Sequence, residues 1–182
     1  MIYMFLANGF EETEAIAPLD ILRRAGVEIK TVGIGSKTVT GSHGIPVTAD
    51  LEESGIDLTS PDFKGIVLPG GMPGTENLYA SETVKKAALC AAQKGLLAGA
   101  ICAAPTVYGR FGLLKDKKAT CYPGCEDRLF AGEYTGSAVC RDGNFITAIG
   151  AGASVRFGLA LAEYLCGKEV ADKVENAIKC AP

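Results

Sequence analysis

Residues 94–113 read KGLLAGAICAAPTVYGRFGL, and this stretch decides the fold. Leu96 to Ile101 is a short apolar run. Cys102 follows at once, and Ala103, Ala104 and Pro105 open a predicted helix. A buried strand that turns into a helix with no residues to spare holds one side chain at the carboxyl end of a sheet. These are the mechanics of a nucleophile elbow. The helix start leaves backbone N–H groups beside the sulfur, which favours a thiolate. A cysteine next to an alanine-rich segment is more commonly a packing residue, so the neighbouring elements must decide between the two.

Those elements alternate. Ile2 to Ala7 reads as a buried strand, Glu11 to Ala25 as a helix ended by Gly26, and Glu28 to Ile34 as the next strand: one βαβ unit. Pro18 is expected to bend or split that helix. Residues 37–48, KTVTGSHGIPVT, predict a hairpin outside the main sheet, and Asp50 to Ser54 a polar connection or helical turn. Asp62 to Pro69 reads as a central strand followed by Gly70-Gly71, and Ser81 to Lys94 as a helix with Ser81 as its cap. After the elbow helix come a short strand at Lys118 to Cys121 and a helical turn at Glu126 to Phe130. Two strands then flank Asp142-Gly143, and helices cover 151–166 and 168–179. The order predicts a single α/β domain over 1–182, a mostly parallel sheet with helices on both faces. Such sheets place their sites beyond the carboxyl ends of the strands. The turns at Asn8–Glu14, Pro69–Met72, Cys102–Ala104 and Tyr122–Gly124 should therefore converge.

Composition narrows the function. The 182 residues carry a net charge of −3 with no basic patch, which argues against nucleic acid. No apolar run is long enough to span a bilayer, and MIYMFLA reads as a first strand rather than a signal peptide. Seven cysteines, an odd number beside an ample core, read as reduced thiols in a cytoplasmic protein. A single histidine, His43, excludes most histidine-rich zinc sites, and no metal or cofactor is expected.

Glu14 is the acid of most interest. Followed by Ala15-Ile16-Ala17, it either points into an apolar crevice, where its pKa rises and it can carry a proton, or remains a solvated first-turn glutamate. Glu11 and Glu12 are expected to face solvent or complement the helix dipole. Gly70 and Gly71 let the backbone turn beside the pocket, where N–H groups together with that of Ala103 could face an oxyanion. Cys121 and Cys125 could resolve an oxidised Cys102 or hold a metal, but no second close pair completes a zinc site. His43 is either a base brought in by the hairpin or by a second subunit, or a surface residue in a turn.

With these motifs assembled, GFEETEAIAPLDILRRAG, GIVLPGGMPG, AICAAPTVY and AGASVRFGLALAEYLCGKEVADKV together resemble the ThiJ/PfpI family, in its DJ-one-like branch. The resemblance implies a flavodoxin-like three-layer fold and a homodimer. It implies a reactive, oxidisable Cys102 hydrogen-bonded to Glu14, with the Gly71 and Ala103 amides lining an oxyanion site. Relatives act as cofactor-free glyoxalases, deglycases, oxidation sensors and chaperones. The protease-like branch has histidine directly after the cysteine; Ala103 here argues against peptidase activity. Tyr122 and His43 stand where the human-type branch has a pocket histidine and many relatives an arginine. The resemblance thus implies cysteine chemistry on small 2-oxoaldehydes such as methylglyoxal and glyoxal, or on their early adducts. The alternative is redox sensing by oxidation of Cys102 to a sulfinate.

Overall fold

The computed structural model describes residues 1–180. A seven-stranded sheet runs through its centre in the order β10-β11-β7-β6-β1-β2-β5. These strands are β1 (Ile2–Leu6), β2 (Ile29–Gly33), β5 (Leu51–Glu52), β6 (Gly65–Leu68), β7 (Leu97–Ile101), β10 (Val139–Asp142) and β11 (Phe145–Ala148). All neighbours are parallel except β10, which returns antiparallel to β11 through the Asp142-Gly143 turn. Two small ribbons lie outside the sheet. One pairs β3 (Thr38–Thr40) with β4 (Pro46–Thr48), and the other pairs β8 (Lys118–Ala119) with β9 (Glu133–Tyr134).

Both faces of the sheet are covered, which is why its central parallel strands β1, β6 and β7 are apolar and buried throughout rather than alternating. Along β1, Ile2, Met4 and Leu6 enter one core layer and Tyr3 and Phe5 the other. The first layer packs against α1 (Glu12–Arg24), α5 (Ser154–Cys166) and α6 (Lys168–Ala177) through Leu19, Leu22, Phe157, Leu161 and Val174. The second packs against α2 (Gly74–Ala80), α3 (Glu82–Gln93) and α4 (Pro105–Arg110) through Leu78, Val84, Ala88, Val107 and Tyr108. This is the flavodoxin-like three-layer arrangement, with the carboxyl ends of β1, β6, β7 and β11 along one edge.

Two local expectations change. Pro18 does not split α1, which is continuous over thirteen residues. The proline is buried, and its Cα lies against Gly158 of α5 where a side chain would not fit. Leu51–Glu52 is more than a connection, since it joins the main sheet beside β2. Helix α2, GTENLYA, has little apolar periodicity. It is held by buried Leu78 and by Glu76, whose carboxylate lies 2.8 Å from Arg110 and 2.9 Å from Arg128.

Candidate active site

Cys102 sits one residue past β7 with φ 64°, a left-handed conformation in a residue with a Cβ. Its backbone is locked on both sides: its N–H donates to Ala148 O at 2.8 Å, and its carbonyl accepts from Tyr122 N–H at 2.8 Å. Backbone strain held in place by its surroundings, with α4 opening three residues later, confirms the elbow geometry. The thiol is half-buried.

Glu14 does point inward. It is 1% exposed, accepts from Gly70 N–H at 2.9 Å, and is hydrogen-bonded to the Cys102 sulfur. The close approach requires glycine at position 70. A Cβ there would lie 2.6 Å from Glu14 Oε2 and 2.7 Å from Cys102 Cβ. Gly71 has φ 88°, and a Cβ on it would lie 2.4 Å from Glu11 N. The loops after β1 and β6 are thereby laced together, with Glu11 N–H donating to Gly70 O at 2.9 Å.

Burial pushes the Glu14 carboxyl up to about 7, with the Glu11 charge adding to the push and the Cys102 and Gly70 hydrogen bonds opposing it. Burial and the Glu14 carboxylate push the Cys102 thiol up to about 12. The amides of Gly71 and Ala103 donate to the sulfur and pull the other way, as expected of the helix start, but they are outweighed while Glu14 is ionised. Burial thus dominates both shifts, and the pair differs in what it exchanges: the Cys102 hydrogen bond eases the Glu14 charge, whereas the Glu14 charge opposes a Cys102 thiolate. When the proton sits on Glu14, its charge no longer opposes a thiolate and the amide donors remain.

Glu12 is a correction. It does not face solvent but is 8% exposed. Its carboxylate gathers the turn between β3 and β4, accepting from His43 N–H at 2.8 Å and Ile45 N–H at 3.4 Å, with His43 Nδ1 at 2.9 Å and Ser42 Oγ at 3.4 Å. Burial opposes its charge, but these partners overcome it and hold the carboxyl at about 2. No sequence signal marks this role, because the partners lie some thirty residues away in a polar turn. Glu11 instead caps α1, accepting from Glu14 N–H at 2.6 Å.

His43 is thus placed on Glu12 rather than on Cys102, with its side chain 69% exposed. Glu11, Glu12 and His43 bring three ligand-type atoms within 4.8 Å of one another, and the His43–Glu12 contact among them is an ion-pair geometry. Cys121 is fully buried in the core layer with α3 and α4, with Cys125 packed against it, while Cys102 packs toward the other layer. This placement does not support Cys121 as the resolving thiol. Tyr122 is 53% exposed and lines a cleft of about 760 Å³ with Ile149 and Val155; Cys102 and Glu14 do not line it.

The strained cysteine elbow, the buried acid and the glycine turn bring three separated stretches of sequence together in space. The DJ-1/PfpI family profile matches residues 1–164. The chain belongs to the DJ-1/PfpI family. It is 37% identical to protein DJ-1 homolog B of Arabidopsis thaliana over 97% of its own length, and spans 41% of the length of that relative. It is 34% identical to deglycase PH1704 of Pyrococcus horikoshii over 81% of this chain and 89% of that one. Among solved structures, oxidized Toxoplasma gondii DJ-1 superposes with a TM-score of 0.94 at 32% identity, covering 100% of this chain and 98% of that one. Among the described residues, no helix is long and apolar enough to cross a membrane.

Proposed function

We propose that this member of the family is a cofactor-free glyoxalase or deglycase that acts on methylglyoxal, glyoxal or their early adducts through Cys102. The observation that carries this reading is the Cys102–Glu14 pair: a nucleophile hydrogen-bonded to a carboxyl held at about 7, where it both takes and gives a proton at neutral pH. Support from relatives is the deglycase name of the Pyrococcus protein.

The chemistry balances with these groups alone. The sulfur attacks the aldehyde carbon while its proton moves to ionised Glu14, and the Gly71 and Ala103 amides receive the new oxyanion. Glu14 returns the proton to give a neutral hemithioacetal. It then removes the hydrogen on the first carbon and delivers a proton to the second by way of an enediol. The product of that shift is the thioester of a 2-hydroxy acid. Water cleaves it, releasing the acid, lactate in the case of methylglyoxal, and restoring the thiol. The net change is addition of one water, so no oxidant or cofactor is required. The reading also takes the protein as a cytoplasmic homodimer, in keeping with exposed Ile16 on α1 and Ile45 before β4, an apolar surface suited to a second copy.

A second reading is redox sensing, in which two equivalents of peroxide convert the thiolate to a sulfinate and release two of water, with no substrate turned over. The oxidized state named for the Toxoplasma structure favours it. The deciding experiment is lactate formation from thiol-free methylglyoxal without glutathione. Wild type is expected to produce lactate and Cys102→Ala to lose at least about a thousandfold in rate. No lactate from wild type rejects the glyoxalase reading. The sensor reading then stands or falls on whether mild peroxide modifies Cys102 before the other cysteines.

A further inference from the structure

Beside the Cys102–Glu14 pair, the fold gathers one further set of metal-ligating side chains. Glu11, Glu12 and His43 bring three donor atoms within 4.8 Å of one another, and among the described residues no other group of three His, Cys, Asp or Glu side chains does so. The set joins the start of α1 to the turn between β3 and β4.

The two carboxylates are oriented, not merely adjacent. Glu11 Oε2 is occupied by Glu14 N–H at 2.6 Å, which leaves Oε1 to face His43 Nδ1 at 3.9 Å. Glu12 Oε1 is occupied by His43 N–H at 2.8 Å and Ile45 N–H at 3.4 Å, which leaves Oε2 to face the same nitrogen at 2.9 Å. Each carboxylate thus has one oxygen anchored by main-chain amides and the other turned to the ring. Anchoring of this kind is what fixes metal ligands in place. Gly41 permits it, since a Cβ there would lie 2.3 Å from Glu12 Oε1. The Glu11 and Glu12 side chains are 16% and 10% exposed and the ring 69%, so the carboxylates form a floor that solvent reaches past the imidazole.

The spacing fits a small ion. Donors at ~2.1 Å around a tetrahedral zinc stand about 3.4 Å from one another. The two oxygen distances to Nδ1 bracket that value, and Ser42 Oγ lies 3.3 Å from Nδ1 and 3.4 Å from Glu12 Oε2. A pair of carboxylates alone would attract any cation. The imidazole nitrogen adds selectivity, because mixed nitrogen and carboxylate donors favour zinc and its neighbours over magnesium and calcium.

We propose that Glu11, Glu12 and His43 form a surface site for a divalent transition-metal ion such as Zn²⁺, with water completing its shell beside Ser42. The ion takes the place of the hydrogen between Nδ1 and Oε2. A neutral ring then carries its one hydrogen on Nε2, and a charged ring releases one proton to solvent. The bound ion fastens the β3–β4 turn to α1, as the ion pair does without it. The proposal does not depend on whether Cys102 turns over an aldehyde.

His43 is the single histidine of the chain, so its ring nitrogens report on this site even where the seven thiols also take up zinc. The test is nitrogen NMR of that ring in solutions buffered for free zinc. The Nδ1 signal is expected to shift and saturate as one site with zinc, and to stay in place with magnesium. Glu11→Gln keeps an oxygen to cap α1 and leaves the Glu12 contacts with the turn intact. It is expected to weaken zinc binding at His43 at least about tenfold. Three results would each overturn the proposal: an Nδ1 signal that zinc does not move, an equal response to magnesium, or unchanged zinc affinity in Glu11→Gln, which would mark a lone surface imidazole.

Discussion

Glu12 and Glu14 stand two residues apart in the same helical turn, and the structure gives them opposite chemistry. Both are buried. Glu12 meets two amides, a hydroxyl and the His43 ring, and its carboxyl is held at about 2. Glu14 meets one amide and a thiol, and its carboxyl is held at about 7. On a helix, two positions differ by roughly 200° in direction, so one residue faces the β3–β4 turn and the other the end of the sheet. Burial penalises a charge in both places; the number of donors decides whether the group remains an anion that fastens a turn or becomes a carrier of protons.

Removing the proton carrier tests this contrast most severely. Glu14→Gln is expected to lower kcat on methylglyoxal by about a hundredfold or more, read as lactate produced per unit time. The wild-type rate should rise with pH through about 7, as Glu14 becomes able to accept the thiol proton, and the variant should lack that step. Gly70→Ala is expected to have the next largest effect. Its Cβ would press on both Glu14 Oε2 and Cys102 Cβ, and a displacement of their contact costs up to about a hundredfold in rate.

Stability should separate the two glutamates by sign. Glu14 has a folded-state pKa above its ordinary 4.5. Its burial therefore costs nothing below that value, and the cost grows as pH rises to about 7. Glu14→Gln should accordingly gain up to about 3 kcal/mol of unfolding free energy at pH 8 relative to pH 4. Glu12 is depressed from 4.5 to about 2, so its contribution is complete above 4.5 and vanishes as pH falls through 2. Glu12→Gln should cost about 3 kcal/mol at neutral pH and almost nothing in strong acid. Denaturant titrations across pH measure both. The smallest effect belongs to His43. Its pKa is raised by Glu12, so His43→Ala should lower Tm slightly below pH 6.5, and the difference should fade as pH rises above the raised value.

The elbow was legible because its parts are adjacent: an apolar run, a cysteine and a proline-started helix occupy residues 96–105. The centre of the parallel sheet was legible for the same reason, since β1, β6 and β7 are continuous apolar segments, whereas the two-residue edge strand Leu51–Glu52 is too short and polar to show. Glu14 could be singled out from the alanines and isoleucine after it, although its contact with Gly70 spans 56 residues. Glu12 could not, because the donors that settle its charge come from residues 42–45 and leave no pattern in EETE. Helix α2 was hidden because GTENLYA owes its helical form to one buried leucine and to ion pairs with distant arginines.

The central claim is that the fold sets two neighbouring carboxyls about five pH units apart. Carbon NMR of protein labelled at the glutamate side-chain carboxyl follows both in one titration, with Glu12→Gln and Glu14→Gln assigning the signals. A midpoint near 7 for Glu14 and one near 2 for Glu12 is the expected result. Two midpoints near 4.5 would contradict it, and would leave Glu14 too weak a base to hold the proton it takes from Cys102 and hands on.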